Sequence, residues 1–394
     1  MALIIEKYGG TSLESAVLVR RAAARTAAAR KAGHRLVVVV SAPGRTTDRL
    51  LGRARKQTEE AEAAALDLLL ASGEQISAAL LTLALEEMGV PARAFCGWQA
   101  GIHTRGPHGR ARIDRIDTRA LRECLAAGQV AVVAGFQGVG PDGEVTTIGR
   151  GGSDTTAVAL AAALGADLCR IYTDVSGVYT ADPRVVPEAR RHRALGYDET
   201  IELARLGARV LHDRAAVLAK QYQVPVEIRS SMTEEAGTMI GKEGLEKNAV
   251  AGAALSAPTL QVRLEDGGAR RGRHRLFAVL AGRGVNIETI AWGEALIFTA
   301  HEADRAAVEE TLALFYPGMY EITPGQRRLS IVGSGLTAGC TAGMLECLEA
   351  AGVPVYGLSD SGTALSVWID GGDAERGLQA VHRRFLSPAA GEGK

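Results

Sequence analysis

The sequence predicts an α/β protein in which residues 1–245 build a mostly parallel central sheet and the remainder forms two small modules of one type. Three observations carry this expectation. Uninterrupted apolar runs such as Leu36–Val40 and Val130–Ala134 alternate with alanine-rich stretches, the pattern of parallel strands covered by helices. Strong periodicity fades between residues 241 and 259. Beyond that point segment 276–290 aligns with 344–358, sharing leucine, glycine and valine at matched places, and 295–300 meets 364–369 after a one-residue shift.

Taken in order, residues 3–7 read as a buried strand, and Thr11-Ser-Leu-Glu14 fits a capping box opening a helix that runs to about Lys31 and stops at Gly33. Leu36–Val40 is a second strand. Ser72-Gly-Glu-Gln75 reads as another capping box, starting a helix that runs through Met88. Val130–Ala134 is a strand, Ser153 caps an alanine-rich helix ending at Gly165, and strands follow at 170–173 and 224–228. Residues 246–259 are expected to be a linker. Two modules follow, 260–325 and 326–394, each a strand, a helix, a glycine turn and two further strands.

Composition narrows the function. The 394 residues carry 45 Lys+Arg and 45 Asp+Glu, so the formal net charge is zero and the basic excess of a nucleic-acid or membrane-surface binder is missing. Five scattered cysteines without a CxxC or Cys/His cluster argue against a disulfide framework or a structural zinc. The start lacks the sections of a signal peptide, and no apolar run approaches the ~18 residues of a membrane span. A cytoplasmic, reducing setting is expected, with no nucleic acid or membrane as partner.

The chemistry concentrates where strands hand over to helices, the place where α/β proteins bind ligands. "KYGGTS" (7–12) sets Lys7 and two glycines, Gly9 and Gly10, ahead of a helix start, an arrangement suited to phosphate. "SAPGRTTDRL" (41–50) offers Ser41 and Thr47 at another strand end. "GRGGSDTTA" (149–157) repeats the design with Arg150, Gly151, Gly152 and Ser153, and Asp154 stands where it could hold a lysine. "YTDVSGVYTADPR" (172–184) supplies Asp174, Tyr179 and Arg184. Each turn alone reads as an ordinary tight turn, and Glu74 alone as a first-turn carboxylate. Their co-occurrence points to a phosphate site beside a site for a small zwitterion. Neither a Walker A loop nor the protein-kinase set is present. A glycine pattern at 333–338 outlines a dinucleotide fingerprint, but it sits in the second small module without a full βαβ unit or an acidic partner.

Assembled, these segments resemble the aspartate kinases, of the amino-acid kinase fold with C-terminal ACT modules, over essentially the whole chain. "KYGGTS", "SAPGRTTD", Gly73-Glu74, "GWQAGI" (97–102), "VAGFQGV" (133–139), "GRGGSDTTAVALAAAL" (149–164), "YTDVSGVYTADPR" and "VEIRSSMTEEAGTMI" (226–240) all carry the likeness. The resemblance implies an amino-acid kinase domain followed by two ACT-like βαββαβ modules. It also implies transfer of the ATP γ-phosphate to the side-chain carboxylate of L-aspartate with Mg²⁺, entry to lysine, threonine and methionine, and self-association through the ACT modules. Lys7, Gly9 and Gly10 would neutralise the moving charge, and Asp154 would orient Lys7. Ser41, Thr47, Glu74, Arg150, Gly151, Gly152 and Ser153 would bind aspartate. Lys7, Tyr8, Gly9, Gly10, Thr173, Asp174, Tyr179 and Arg184 would hold the nucleotide, and no protein metal ligand is implied.

Departures from the family pattern are Pro43 for methionine, Ser176 for aspartate, and Asp213, Ala216 and Val217 in "LHDRAAV". A specialised-pathway paralogue acting on aspartate or a close analogue stays open, as does a non-catalytic amino-acid sensor. Loss of Lys7, Arg150 or Asp154 would favour the sensor, and all three are present. Relatives under feedback control carry a D-x-P-G turn where this chain has "EDGGARRGRHRLF" (265–277), with Arg270, Arg271, Arg273 and Arg275. The second module has Pro354 and Gly357 where a regular strand is usual. Weakened control by lysine and threonine is therefore expected.

Overall fold

A strand that is apolar on both faces must be covered on both faces, and the β-branched runs of this chain occupy the centre of an eight-stranded sheet. The computed structural model describes residues 1–387 apart from 59–60, 209, 243–249, 266–272 and 293–294. It divides into two compact units. The first is Met1–Val178, Arg191–Ala204 and Arg209–Leu245; the second is Tyr179–Arg190, Arg205–Ala208 and Glu246–Lys394.

In the first unit the sheet runs, edge to edge, Ala194–Gly196, Thr238–Gly241, Val226–Ser230, Leu168–Thr173, Leu3–Tyr8, Arg35–Val40, Val130–Ala134, Ala92–Phe95. Only the Val226–Ser230 and Thr238–Gly241 pair is antiparallel. The carboxyl ends of the five adjoining central strands therefore share one edge. One face packs Ile4, Leu36, Val38 and Val132 against helices Ala16–Lys31 and Ala63–Glu87. Helix Gly152–Leu164 packs against Leu3–Tyr8, Arg35–Val40 and Leu168–Thr173. A smaller sheet, Arg112–Ile116, Ile102–Arg105, Gln137–Val139 and Val145–Thr147, leads the chain into residues 148–151.

Three expected helix starts are corrected. Residues Gly10–Ser12 form a 3-10 turn, and the first helix begins at Ala16 with Ser15 accepting the Leu18 N–H at 3.3 Å. Because the helix starts only there, the Thr11 box does not form, and the neighbouring Ser12 hydroxyl donates to Ser231 at 2.8 Å. Ser72–Gln75 lies inside one 25-residue helix, Ala63–Glu87, and the Ser72 hydroxyl donates back to the Leu69 carbonyl at 2.7 Å. By length and composition this helix could cross a membrane. Here one face of it enters the core, with Leu81 and Leu85 fully buried, each worth about 1.5–3 kcal/mol, while Leu68, Ile76, Leu80 and Leu83 are exposed. The helix at Gly152–Leu164 is capped by Gly151 in the left-handed region (φ 70°), so Ser153 is a first-turn residue and not the cap.

The second unit is one seven-stranded antiparallel sheet built from the repeat. The first copy is complete: Thr259–Leu264, helix Arg273–Gly282, Ile287–Trp292, Leu296–His301, helix Arg305–Phe315, then the first half of Tyr320–Val332. That 13-residue strand changes partner at Gln326, which faces both Thr259 and Asp370. Its second half opens the second copy: helix Ala338–Ala350, Gly357–Asp360, Ala364–Asp370 and helix Ala374–Phe385. The expected linker proves partly structured. Gly252–Leu255 pairs with Leu329–Val332 and supplies the second copy's remaining strand from upstream of the first copy. Tyr179–Arg190 also packs in this unit: Ala181 and Val186 enter its core, and Thr180 Oγ1 meets His382 Nε2 at 2.9 Å. Arg270 and Arg271 lie outside the described residues.

Candidate active site

Strand Leu3–Tyr8 alternates its side chains, so Lys7 points away from the face that carries Glu6 and Tyr8. Lys7 reaches Asp154 on helix Gly152–Leu164, with Nζ 2.6 Å from Oδ1. Both side chains are largely buried, at 11% and 15% exposure, where an unpaired charge would be expensive. The ammonium lies over the turn that follows, 3.6 Å from the place a Cβ on Gly9 would occupy. Gly10 is required for a second reason: a Cβ there would come within 2.7 Å of the Ala42 carbonyl, and Gly10 O accepts the Gly44 N–H at 2.9 Å. The two strand-end turns are thus locked together.

Glu74 comes from the helix interior. Its Oε1 accepts the Ala42 N–H at 3.0 Å, and the helix approaches closely enough because Gly73 faces Ala42, where a Cβ would lie 2.8 Å from the alanine methyl. A mid-helix glycine is unfavourable by about 1 kcal/mol against alanine, and here it allows this contact. Glu74 is 4% exposed, and Oε2 has no hydrogen-bond partner among the described residues. Burial pushes its pKa up to about 7, against backbone donors from Ala42 and Glu74 itself that pull it down.

Lys7, Gly10, Ser41, Thr47, Glu74 and the run Gly149–Asp154 line one cleft of about 250 Å³. Gly151 cannot carry a side chain, because a Cβ would overlap the His212 ring and the backbone is left-handed. No hydrogen bond or ion pair engages Arg150 among the described residues, and the residue is exposed. The cleft therefore offers a paired lysine, a free guanidinium, a half-satisfied buried carboxylate and the first turn of a helix. That set can neutralise phosphoryl oxygens and grip the carboxylate and ammonium of a small zwitterion.

Other expected residues fall elsewhere. Tyr8 buries its ring against Tyr172, centroids 4.7 Å apart, and its hydroxyl faces Glu6 and Thr26; only its backbone is left for a ligand. Thr173 and Asp174 end the neighbouring strand, where Thr173 Oγ1 donates to Asp174 at 3.0 Å. Tyr179 and Arg184 belong to the second unit, and Arg184 pairs with Asp182 at 2.7 Å. Sequence reasoning did not single out Ala42, Phe136 or His212. Phe136 lines the cleft with φ 67°, a conformation that costs about 1–3 kcal/mol in a residue with a Cβ. Nothing in a phenylalanine signals that. Ala42 acts through its backbone N–H, which leaves no mark on side-chain pattern.

Known proteins resemble this chain along nearly its whole length. A model of the amino acid kinase family matches residues 2–230. An aspartokinase of Thermus thermophilus is 42% identical, the alignment covering 98% of this chain and 99% of that protein. Aspartokinase 2 of Bacillus subtilis is also 42% identical, over 98% of each. Among solved structures, E. coli aspartokinase III in complex with aspartate and ADP, in its R-state, superposes with a TM-score of 0.83 at 25% identity, over 98% of this chain and all of that one. The same enzyme with lysine and aspartate, in its T-state, gives 0.78 at 26% identity with the same coverage. The chain belongs to the amino acid kinase family and, within it, to the aspartokinases.

Proposed function

We propose that this cleft transfers the γ-phosphoryl group of ATP to the side-chain carboxylate of L-aspartate, giving 4-phospho-L-aspartate and ADP. The observation that carries the reading is the grouping of the Lys7–Asp154 pair, the unengaged Arg150 and the buried Glu74 around one cleft. Phosphoryl transfer between anionic oxygens needs positioning and charge neutralisation more than covalent help. Lys7, held by Asp154, meets the charge on the moving phosphoryl group. Arg150 takes a substrate carboxylate as a two-pronged donor, and Glu74 takes the ammonium. Ser41, Thr47 and Ser153 complete the pocket, with Gly9 and Gly10 letting the phosphates approach the backbone. Thr173 and Asp174, at the end of the neighbouring strand of the same unit, are assigned to the nucleotide.

Among the described residues no three His, Cys, Asp or Glu side chains gather as a metal site. Mg²⁺ is therefore read as arriving on ATP, held by its phosphates as part of the substrate. The five free cysteines suit a reducing cytoplasm. The reading extends to entry into lysine, threonine and methionine synthesis. It also includes self-association through the second unit, whose edge strand Gly357–Asp360 is largely exposed.

Purified protein should yield a hydroxamate-trapped product from aspartate, dependent on ATP and Mg²⁺. Use of glutamate, acetylglutamate or carbamate with aspartate ignored would overturn the assignment. Control is read as weak, because Pro354 precedes a four-residue strand in the second copy where the first copy has six. Activity titrated with lysine and threonine together at millimolar concentration tests this, and strong concerted inhibition would refute it.

A further inference from the structure

One buried carboxylate lies outside the cleft and receives more donors than any chemistry there requires. Asp67 is 1% exposed on helix Ala63–Glu87. It accepts the Thr147 N–H at 2.7 Å, the Thr147 hydroxyl at 2.6 Å and the Gly109 N–H at 2.9 Å, and meets His108 Nδ1 at 3.0 Å. A buried anion is tolerated only when its lone pairs are filled in this way. None of these groups lines the cleft.

All of them hold the segment that does. Thr147 ends strand Val145–Thr147, three residues before Arg150. Gly109 O lies 3.0 Å from where a Cβ on Gly149 would stand, and Ala111 N donates to Thr147 O at 3.1 Å. Gln137 Nε2, on the partner strand of the same hairpin, donates to the Ala71 carbonyl at 2.8 Å. Asp67 and Ala71 lie on the helix that carries Glu74. Residues 67 and 74 are about two turns apart on one face.

We propose that Asp67 is a positioning residue that fixes the Arg150 loop relative to Glu74, so that the two poles of the substrate site keep the spacing of one amino acid. This deepens the proposed function and rests on Arg150 and Glu74 gripping aspartate. An asparagine at 67 keeps the shape but offers an NH₂ group to N–H donors, so the loop loses its anchor while the helix stays.

Steady-state kinetics of Asp67→Asn, Arg150→Ala and the double variant test it, beside ADP binding and thermal unfolding. Asp67→Asn should raise the aspartate KM about 10-fold and leave ADP affinity within about twofold. In the Arg150→Ala background the same change should add less than about twofold, because the anchored group is gone. Effects that multiply would show that Asp67 acts independently of Arg150 and overturn the proposal. So would a fall in melting temperature with aspartate KM unchanged, the signature of a mere staple. An Arg150→Ala enzyme with wild-type aspartate KM would instead refute the underlying reading of the cleft. Should Asp67→Asn not fold, Thr147→Val removes one donor, keeps the N–H, and is judged by the same criteria.

Discussion

The two compact units bury polarity in different ways. Among the described residues the first unit holds Glu6, Lys7, Asp67 and Glu74 at 9% exposure or less. Among the described residues the second unit buries mainly hydroxyls, such as Ser330 and Ser366 facing each other at 2.7 Å across two strands, with Arg273, Gln326 and His382 as exceptions. Burying a charge costs several kcal/mol unless it is paired, whereas hydroxyl pairs are nearly neutral. In the first unit Lys7 and Glu74 line the cleft, whereas Glu6, Asp67 and Glu199 are held by partners outside it. At Glu6, next to Lys7 on the same strand but facing the other way, burial raises the pKa, while the Thr26 hydroxyl at 2.9 Å and Arg170 oppose the rise.

The comparison breaks most sharply at Lys7. Lys7→Ala should lower kcat by roughly 10²-fold or more with modest change in aspartate KM, since it removes charge neutralisation in the transition state. Near-wild-type turnover would mean that the buried pair with Asp154 is structural only.

Gly151→Ala is next. The added methyl overlaps the His212 ring and the left-handed backbone resists it, so the loop must shift. Aspartate KM should rise about 10-fold with a loss of roughly 1–3 kcal/mol in stability. Unchanged kinetics in the purified variant would show that the Arg150 loop tolerates displacement.

Glu74 gives a pH signature. With its carboxyl near pKa 7, aspartate kcat/KM should fall as pH drops through about 7, because the protonated acid no longer attracts the ammonium. Glu74→Gln should raise aspartate KM and abolish that inflection. Stability has the opposite sign. A carboxyl raised from 4.5 binds its proton more tightly when folded, so stability is fullest below pH 4.5 and declines as pH rises through 7. The ligand-free Gln variant should therefore be more stable than wild type at pH 8, by on the order of 1–3 kcal/mol. A variant no more stable there, with the inflection intact, would place the titrating group elsewhere.

The smallest effect belongs to the second unit. Replacing Ser330 and Ser366 together by alanine should change stability by less than about 1 kcal/mol and leave aspartate KM alone. A large kinetic change would erase the contrast between the units.

Much of this was legible in the residues. Strand runs such as Leu36–Val40 announce themselves through continuous apolarity, and Lys7, Arg150 and Asp154, in turns that lead from strand to helix, line one cleft. The repeat in the second unit was also readable, since both copies keep the same apolar positions.

Tertiary structure decided the rest, because the deciding contacts are far apart in sequence. Ser72–Gln75 has the local form of a helix start, yet packing extends the helix to Ala63 and places Glu74 in its buried interior. That burial, and not the residue type, moves its pKa. Gly252–Leu255 looks like a linker because a four-residue strand carries too little pattern, and only pairing with Leu329–Val332 makes it one. Sequence alone determined which side chains could do chemistry, since charge and hydrogen-bonding capacity travel with the residue. Which of them share a cleft, and in what protonation state, was settled by long-range packing and the desolvation that comes with it.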